Sequence, residues 1–192
     1  MKYLFFDTET TGLPKNYKAS PTELDNWPRV IQIAFALFDD DGLIMQFEAL
    51  IKPDNWEIPN QKFWIDNGFS TEQSMANGID INIALAKFIE NLNECDILIA
   101  HNLNFDLPIV QSEMIRLDLK ADKKPKKFCT MISTTNVCKL PSGRGGYKWP
   151  KLEQLHHYLF KSGFDGAHDA LSDVMATAKC FFKLKDTNQI NF

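Results

Sequence analysis

Cysteine is scarce and scattered. Cys95, Cys129, Cys138 and Cys180 contain no Cys-x-x-Cys pair. Such spacing supports neither a zinc site nor a disulfide framework, and fits reduced, mostly buried thiols in a cytoplasmic protein. Long apolar runs are also missing: none approaches the ~20 residues of a membrane-spanning helix. The first residues show no basic segment followed by an apolar stretch and a small-residue cleavage site, so no secretory signal is expected. Internal repeats and low-complexity segments are absent. Nor is there a surplus of positive charge: 21 Lys and Arg stand against 25 Asp and Glu, a formal net charge of −4. That balance argues against nonspecific binding of a polyanion, although a net figure hides local patches.

What is present suits one domain over residues 1–192, long enough to bury a full core. The composition is ordinary for a globular protein, 44% apolar and 24% charged. Residues 3–6 form a short apolar run with strand preference. A long polar loop over residues 14–28 follows, of a length that is often functional. Residues 29–38 and 43–51 read as an antiparallel hairpin around Asp39-Asp40-Asp41-Gly42, whose acids are expected to be solvated. Ser70 with Gln73 resembles a capping box, and Asp80 caps a helix with an apolar stripe of Ile83, Leu85, Phe88, Ile89 and Leu92. Residues 97–100 are a buried strand, and a helix starting within 101–106 runs to about Leu117. Phe128-Cys129-Thr130-Met131 reads as a short edge strand feeding a helix. A helix carries Leu152, Leu155, His156 and Leu159. The last runs from 168–173 to about Leu184 with a stripe of Ala170, Val174, Ala178 and Phe181. His156 and His157 are adjacent, so they do not share a helix face or an ion.

Three places carry chemistry. Asp7 and Glu9 close the first strand two residues apart, so both side chains point to one face. Paired like charges call for a cation, and hard divalent ions such as Mg²⁺ prefer carboxylate oxygens. Alone, Asp-x-Glu equally describes an acidic strand end. Thr10, Thr11 and Gly12 suit a turn whose backbone approaches a ligand closely. Asp106 lies in a helix start after a strand, at the carboxyl edge where open α/β sheets bind ligands; a helix-start acid complementing the dipole is the plain alternative. His168 opens the last helix, and an ordinary pKa of ~6.5 suits a general base near neutrality. Asp169 and Asp173, four residues apart, share a helix face.

In order along the chain these are Asp-x-Glu, His-Asn-x-x-Phe-Asp and His-x-Ala-x-x-Asp. The combination resembles the DEDDh, or DnaQ-like, family of 3′–5′ exonucleases, to which the proofreading epsilon subunit of bacterial DNA polymerase III belongs. The resemblance runs from Tyr3 to about Phe182 and includes Val30-Ile31-Gln32-Ile33-Ala34 and Lys151-Leu152-Glu153. It implies an α/β ribonuclease H-like fold, a mixed five-stranded sheet flanked by helices. It implies that Asp7, Glu9, Asp106 and Asp173 hold two divalent ions, Mg²⁺ or Mn²⁺, and that His168 is the base. Asp169 fills a variable position of the motif. Thr10, Thr11, Leu13 and Phe105 are the expected contacts to the 3′ nucleotide. The expected partner is a nucleic acid with a 3′ end, single-stranded, with a DNA polymerase subunit as a second. The expected reaction releases nucleoside monophosphates from DNA; a 3′-end-trimming ribonuclease and a noncatalytic polymerase-associated subunit are the alternatives. Residues 57–78 look less typical of the family. The lysines of residues 120–127, with Arg144 and Lys148, are either a track for the phosphate backbone or a solvated face.

Overall fold

The computed structural model describes residues 1–143, 145–167 and 169–191. Five strands form one sheet in the order β3-β2-β1-β4-β5: β1 (Tyr3–Thr10), β2 (Val30–Phe38), β3 (Leu43–Leu50), β4 (Ile97–Ala100) and β5 (Lys126–Cys129). β2 pairs antiparallel with β1 and β3, while β4 runs parallel to β1 and β5. The helices are α1 (Lys62–Asp66), α2 (Thr71–Asn77), α3 (Ile81–Glu94), α4 (Leu103–Arg116), α5 (Thr130–Ser133), α6 (Thr135–Cys138), α7 (Leu152–Phe160) and α8 (Ala170–Asp186). This is the mixed five-stranded sheet with flanking helices that the sequence leads one to expect.

Strand alternation divides the core in two. Leu4 and Phe6 of β1 join Ile33, Phe35 and Leu37 of β2 under α3 and α4. Tyr3 and Phe5 join Ala34 and Ala36 under α7 and α8. Every residue of β1 from Tyr3 to Phe6 is thus buried, as a central strand covered on both sides requires.

A third, smaller cluster lies at the carboxyl end of β1. The β1–β2 register slips between Glu9 and Thr10, so Ile31 is an extra residue on β2. Ile31 packs with Ile58 and Phe69 beneath Trp56 and Trp64. The bulge therefore anchors the segment of α1 and α2, which the sequence marks only by the Ser70–Gln73 capping box at the start of α2. The Ser70 and Asp80 caps form as expected, accepting from the amides of Gln73 and Asn82.

Four details differ from the sequence reading or sharpen it. Ile83 is 52% exposed, and Ala84 takes its place in the α3 stripe. The helix expected to start within 101–106 starts at Leu103, which makes Pro108 its sixth residue, past the first turn, so it withholds a hydrogen bond from the Asn104 carbonyl. β5 starts at Lys126, two residues early, because parallel pairing with Ile97 recruits the lysines. Asp40 of the hairpin turn accepts from Tyr3 Oη, Lys185 Nζ and the amino terminus, tying the start of β1 to the end of α8.

Candidate metal and nuclease site

The alternation that sends Phe5 towards α8 continues past the core. Asp7 and Glu9 occupy the same face, and Asp173 in the first turn of α8 comes down to meet them. The three carboxylates offer oxygens that all lie within 4.8 Å of one another.

Asp106 arrives from the opposite side of the sheet. It sits in the first turn of α4, 2% exposed. Thr8, the residue of β1 that faces this side, holds it twice: through its amide at 3.2 Å and its hydroxyl at 2.8 Å, both to Oδ1. β1 therefore places two acids with its odd residues and positions a third with the even residue between them. Asn102, with a φ of 78°, makes the tight turn from β4 into α4 that this placement needs. Thr8 escaped the sequence reading; its signal is its place between two acids on an alternating strand.

The electrostatics are those of a site short of positive charge. Burial, followed by the charges of Asp106, Asp173 and Glu9, raises the pKa of Asp7 well above the carboxylate range. Burial and then Asp173 and Asp106 push Glu9 from 4.5 up to about 8. Asp106 is also raised by burial, against the lowering effect of the Thr8 hydrogen bonds. Four acids held together out of water are costly unless cations neutralise them. The all-oxygen donor set fits hard divalent ions.

The other expected residues fall around this cluster. Thr10 gives its hydroxyl to the Gly12 carbonyl at 2.8 Å, and Thr11 Oγ1 accepts from the Arg29 amide at 3.0 Å. Both hydroxyls thus shape the turn. Leu13 projects from it, 74% exposed. Phe105, half-buried, packs on the core beneath Tyr17 of the long loop, ring centroids 6.4 Å apart. Tyr17 was not singled out from sequence. Neither was Trp64, whose indole N–H donates to the Thr10 carbonyl at 3.0 Å. Asp169 caps α8, accepting from Ser172 N at 3.1 Å and Ser172 Oγ at 2.8 Å. His168 and Arg144 lie outside the described residues.

Two other histidines have structural partners. His101 bonds through Nδ1 to Thr130 Oγ1 at 2.9 Å and through Nε2 to the Pro150 carbonyl at 3.1 Å. Burial pushes its pKa down to about 4, so it is neutral and ties the end of β4 to the start of α7. His156 is buried against Phe160 and Phe164 and bonds the Ser162 carbonyl.

The lysine run is far from the acids. Lys126 pairs with Ile97, which pairs with Tyr3, so the run lies at the amino end of the parallel strands. Asp7 is four residues further along β1, about 13 Å. Lys123 bonds Asp96 and the Glu94 carbonyl, and Lys120 pairs with Asp118.

Fold and site together define an α/β protein with a cluster of acids for divalent ions at the carboxyl edge of its central strand. The chain belongs to the Exonuclease family, whose model matches residues 4–181. It is 26% identical over 196 residues to the DNA polymerase III PolC-type of Caldanaerobacter subterraneus subsp. tengcongensis, covering 98% of this chain and 12% of that protein. It is 26% identical over 187 residues to the 3′-5′ exonuclease DinG of Bacillus subtilis, covering 95% of this chain and 17% of that one. The chain thus spans under a fifth of either relative. In fold it matches E. coli Exonuclease I in complex with a dT13 oligonucleotide, with a TM-score of 0.74 at 19% identity, over 98% of this chain and 41% of that one. The DnaQ-like resemblance is borne out.

Proposed function

We propose that residues 1–192 act as one 3′–5′ exonuclease domain that hydrolyses phosphodiester bonds at DNA 3′ ends and releases nucleoside monophosphates. The observation that carries this reading is the convergence of Asp7, Glu9 and Asp173 within 4.8 Å beside a buried Asp106. These four residues would hold two divalent ions, Mg²⁺ or Mn²⁺. When bound, such ions supply activation of the attacking water and stabilisation of the leaving 3′-oxygen. The protein's own part is orientation and proton transfer. Thr8 steers the Asp106 carboxylate, the Thr10–Gly12 turn presents Leu13 to the terminal base, and Phe105 stacks against it. His168 takes the proton of the attacking water as general base. Two ions bring +4, which offsets the formal −4 of the chain and lets a polyanionic substrate approach.

The partner we propose is single-stranded DNA; the fold match to an oligonucleotide-bound Exonuclease I supports it, and the similarity to a polymerase III supports a polymerase as a further partner. A cytoplasmic location fits the reduced cysteines; among the described residues no helix is long and apolar enough to cross a membrane. The test uses 5′-labelled single-stranded DNA, duplex DNA and RNA with Mg²⁺, Mn²⁺ or chelator. A ladder shortening from the 3′ end of single-stranded DNA, lost with chelator, is expected. Faster shortening of RNA would make it a 3′-end-trimming ribonuclease, and no shortening of any substrate would favour a noncatalytic subunit.

A further inference from the structure

Gln32 lies on β2, 7% exposed, on the face that packs under α8. Its Oε1 accepts from the amide of Ala170 at 3.1 Å. Its Nε2 donates to Asp169 Oδ1 at 3.1 Å and to Glu48 Oε1 at 2.7 Å. The orientation of the amide is fixed by chemistry: a backbone N–H only donates, so oxygen must face Ala170, and the two N–H groups then face the two carboxylates. Ala170 is the first residue of α8, and first-turn amides have no intrahelical acceptor. Gln32 therefore satisfies a buried amide that the helix cannot. It also grips Asp169, whose other oxygen caps Ser172.

Two hydrogen bonds thus join one side chain to the cap and the first residue of α8, and a third ties it to Glu48 of β3. The apolar cluster that joins α8 to the sheet includes small side chains, Ala170 and Ala178 of α8 with Ala34 and Ala36 of β2. Apolar burial is non-directional, whereas hydrogen bonds have a preferred length and direction. Asp173 is one turn beyond Asp169, about 6 Å along the axis. Gln32 is also the cross-strand partner of Glu9. One residue therefore neighbours one acid of the cluster and anchors the helix that delivers another.

We propose that Gln32 is a positioning residue for this site: it sets the axial register of α8, and so the distance from Glu9 to Asp173. The inference rests on the exonuclease reading for its kinetic consequence but not for its structural one. The test uses Gln32→Met, Gln32→Glu, Asp169→Asn and the double variant Gln32→Glu/Asp169→Asn. Gln32→Met keeps the bulk and removes all three bonds. Gln32→Glu removes the donors and faces Asp169 with a like charge. Asp169→Asn in that background returns a donor from the other side while still capping Ser172.

Amide hydrogen exchange in the metal-free protein is the first readout. Gln32→Met is expected to speed exchange at Ala170 on the order of tenfold. Single-turnover cleavage of single-stranded DNA at saturating Mn²⁺ is the second. Gln32→Met and Gln32→Glu should each lose up to ~10²-fold in rate with KM within about twofold, as a misplaced reacting group does. The double variant should recover most of the Gln32→Glu loss. Unchanged exchange at Ala170, an equally impaired double variant, or a change confined to KM in folded protein would each overturn the inference. Absence of cleavage by the wild-type chain would remove the exonuclease reading and leave the exchange result to decide the role of Gln32.

Discussion

Asp169 and Asp173 stand one helical turn apart on α8, yet their surroundings differ. Asp169 is the cap, held by Ser172 and Gln32, while Asp173 joins Asp7 and Glu9. Asp173→Asn should abolish turnover and weaken Mn²⁺ binding, whereas Asp169→Asn, still a capping residue but without the acceptor for Gln32, should cost about 1 kcal/mol of stability and far less rate than Asp173→Asn; titration calorimetry and single-turnover rates check this. Leu13, 74% exposed, contributes little to the core. Leu13→Ala should therefore raise KM for single-stranded DNA at an unchanged melting temperature, a stack or wedge on a base being worth ~1–3 kcal/mol. The acids also set a pH dependence. Glu9 titrates at about 8 in the folded protein against an ordinary 4.5, and Asp7 is raised too. A raised carboxylate pKa means that the folded state binds more protons than the unfolded one across that window, so stability falls as pH rises through it. The melting temperature of the metal-free protein should be lower above about pH 8 than near about pH 5. Asp7→Asn should flatten that slope and raise the melting temperature at high pH while removing Mn²⁺ affinity. Calorimetry across pH with and without Mn²⁺ reads both, and a slope of the opposite sign would contradict the repulsion described for the cluster.

At the scale of elements, the site depends on how three pieces meet the end of β1. α8 brings Asp173, α4 brings Asp106 under Thr8, and α1 brings Trp64 to the carbonyl of Thr10. The Trp64 hydrogen bond joins a five-residue helix, too short to persist alone, to the turn that carries Leu13. Trp64→Phe keeps the ring in the cluster with Ile31, Ile58 and Phe69 but deletes the hydrogen bond. It should destabilise by about 1 kcal/mol and raise KM more than it lowers kcat. Denaturant unfolding and steady-state kinetics would show this, and an unchanged KM would detach α1 from the substrate turn.

For the molecule as a whole, the sheet separates two charged regions. Asp7, Glu9, Asp106 and Asp173 gather at the carboxyl end of β1, and the lysines at 120–127 gather at the amino end of the parallel strands. A single strand engaged at the acids has no need to pass the lysines. Changing Lys124, Lys126 and Lys127 together to Gln should leave the log–log salt dependence of DNA binding unchanged. Each lysine that did neutralise a phosphate would instead flatten the slope by ~0.7 on its removal. A flatter slope would show that the strand wraps around the sheet.

The periodicity of the chain determined a good deal by itself. Apolar runs marked the first four strands and the long helices, because burial on both faces of a central strand and on one face of a helix leaves a local imprint; β5 was legible only at Phe128 and Cys129. Asp-x-Glu at the end of β1 and the caps at Ser70 and Asp80 were legible for the same reason: each depends on neighbours a few residues away. Tertiary structure alone decided the rest. Thr8 on Asp106, Gln32 on α8, Trp64 on Thr10 and Tyr17 on Phe105 join residues 54 to 138 positions apart, and the bulge at Ile31 appears only once β1 and β2 are in register. The lysines changed meaning in the same way: their charge is written in the sequence, but which end of the sheet they occupy is set by the parallel pairing of β4 with β5. Interactions made across a sheet leave no period in the chain, because the strands that make them are set side by side only when both layers of the core close.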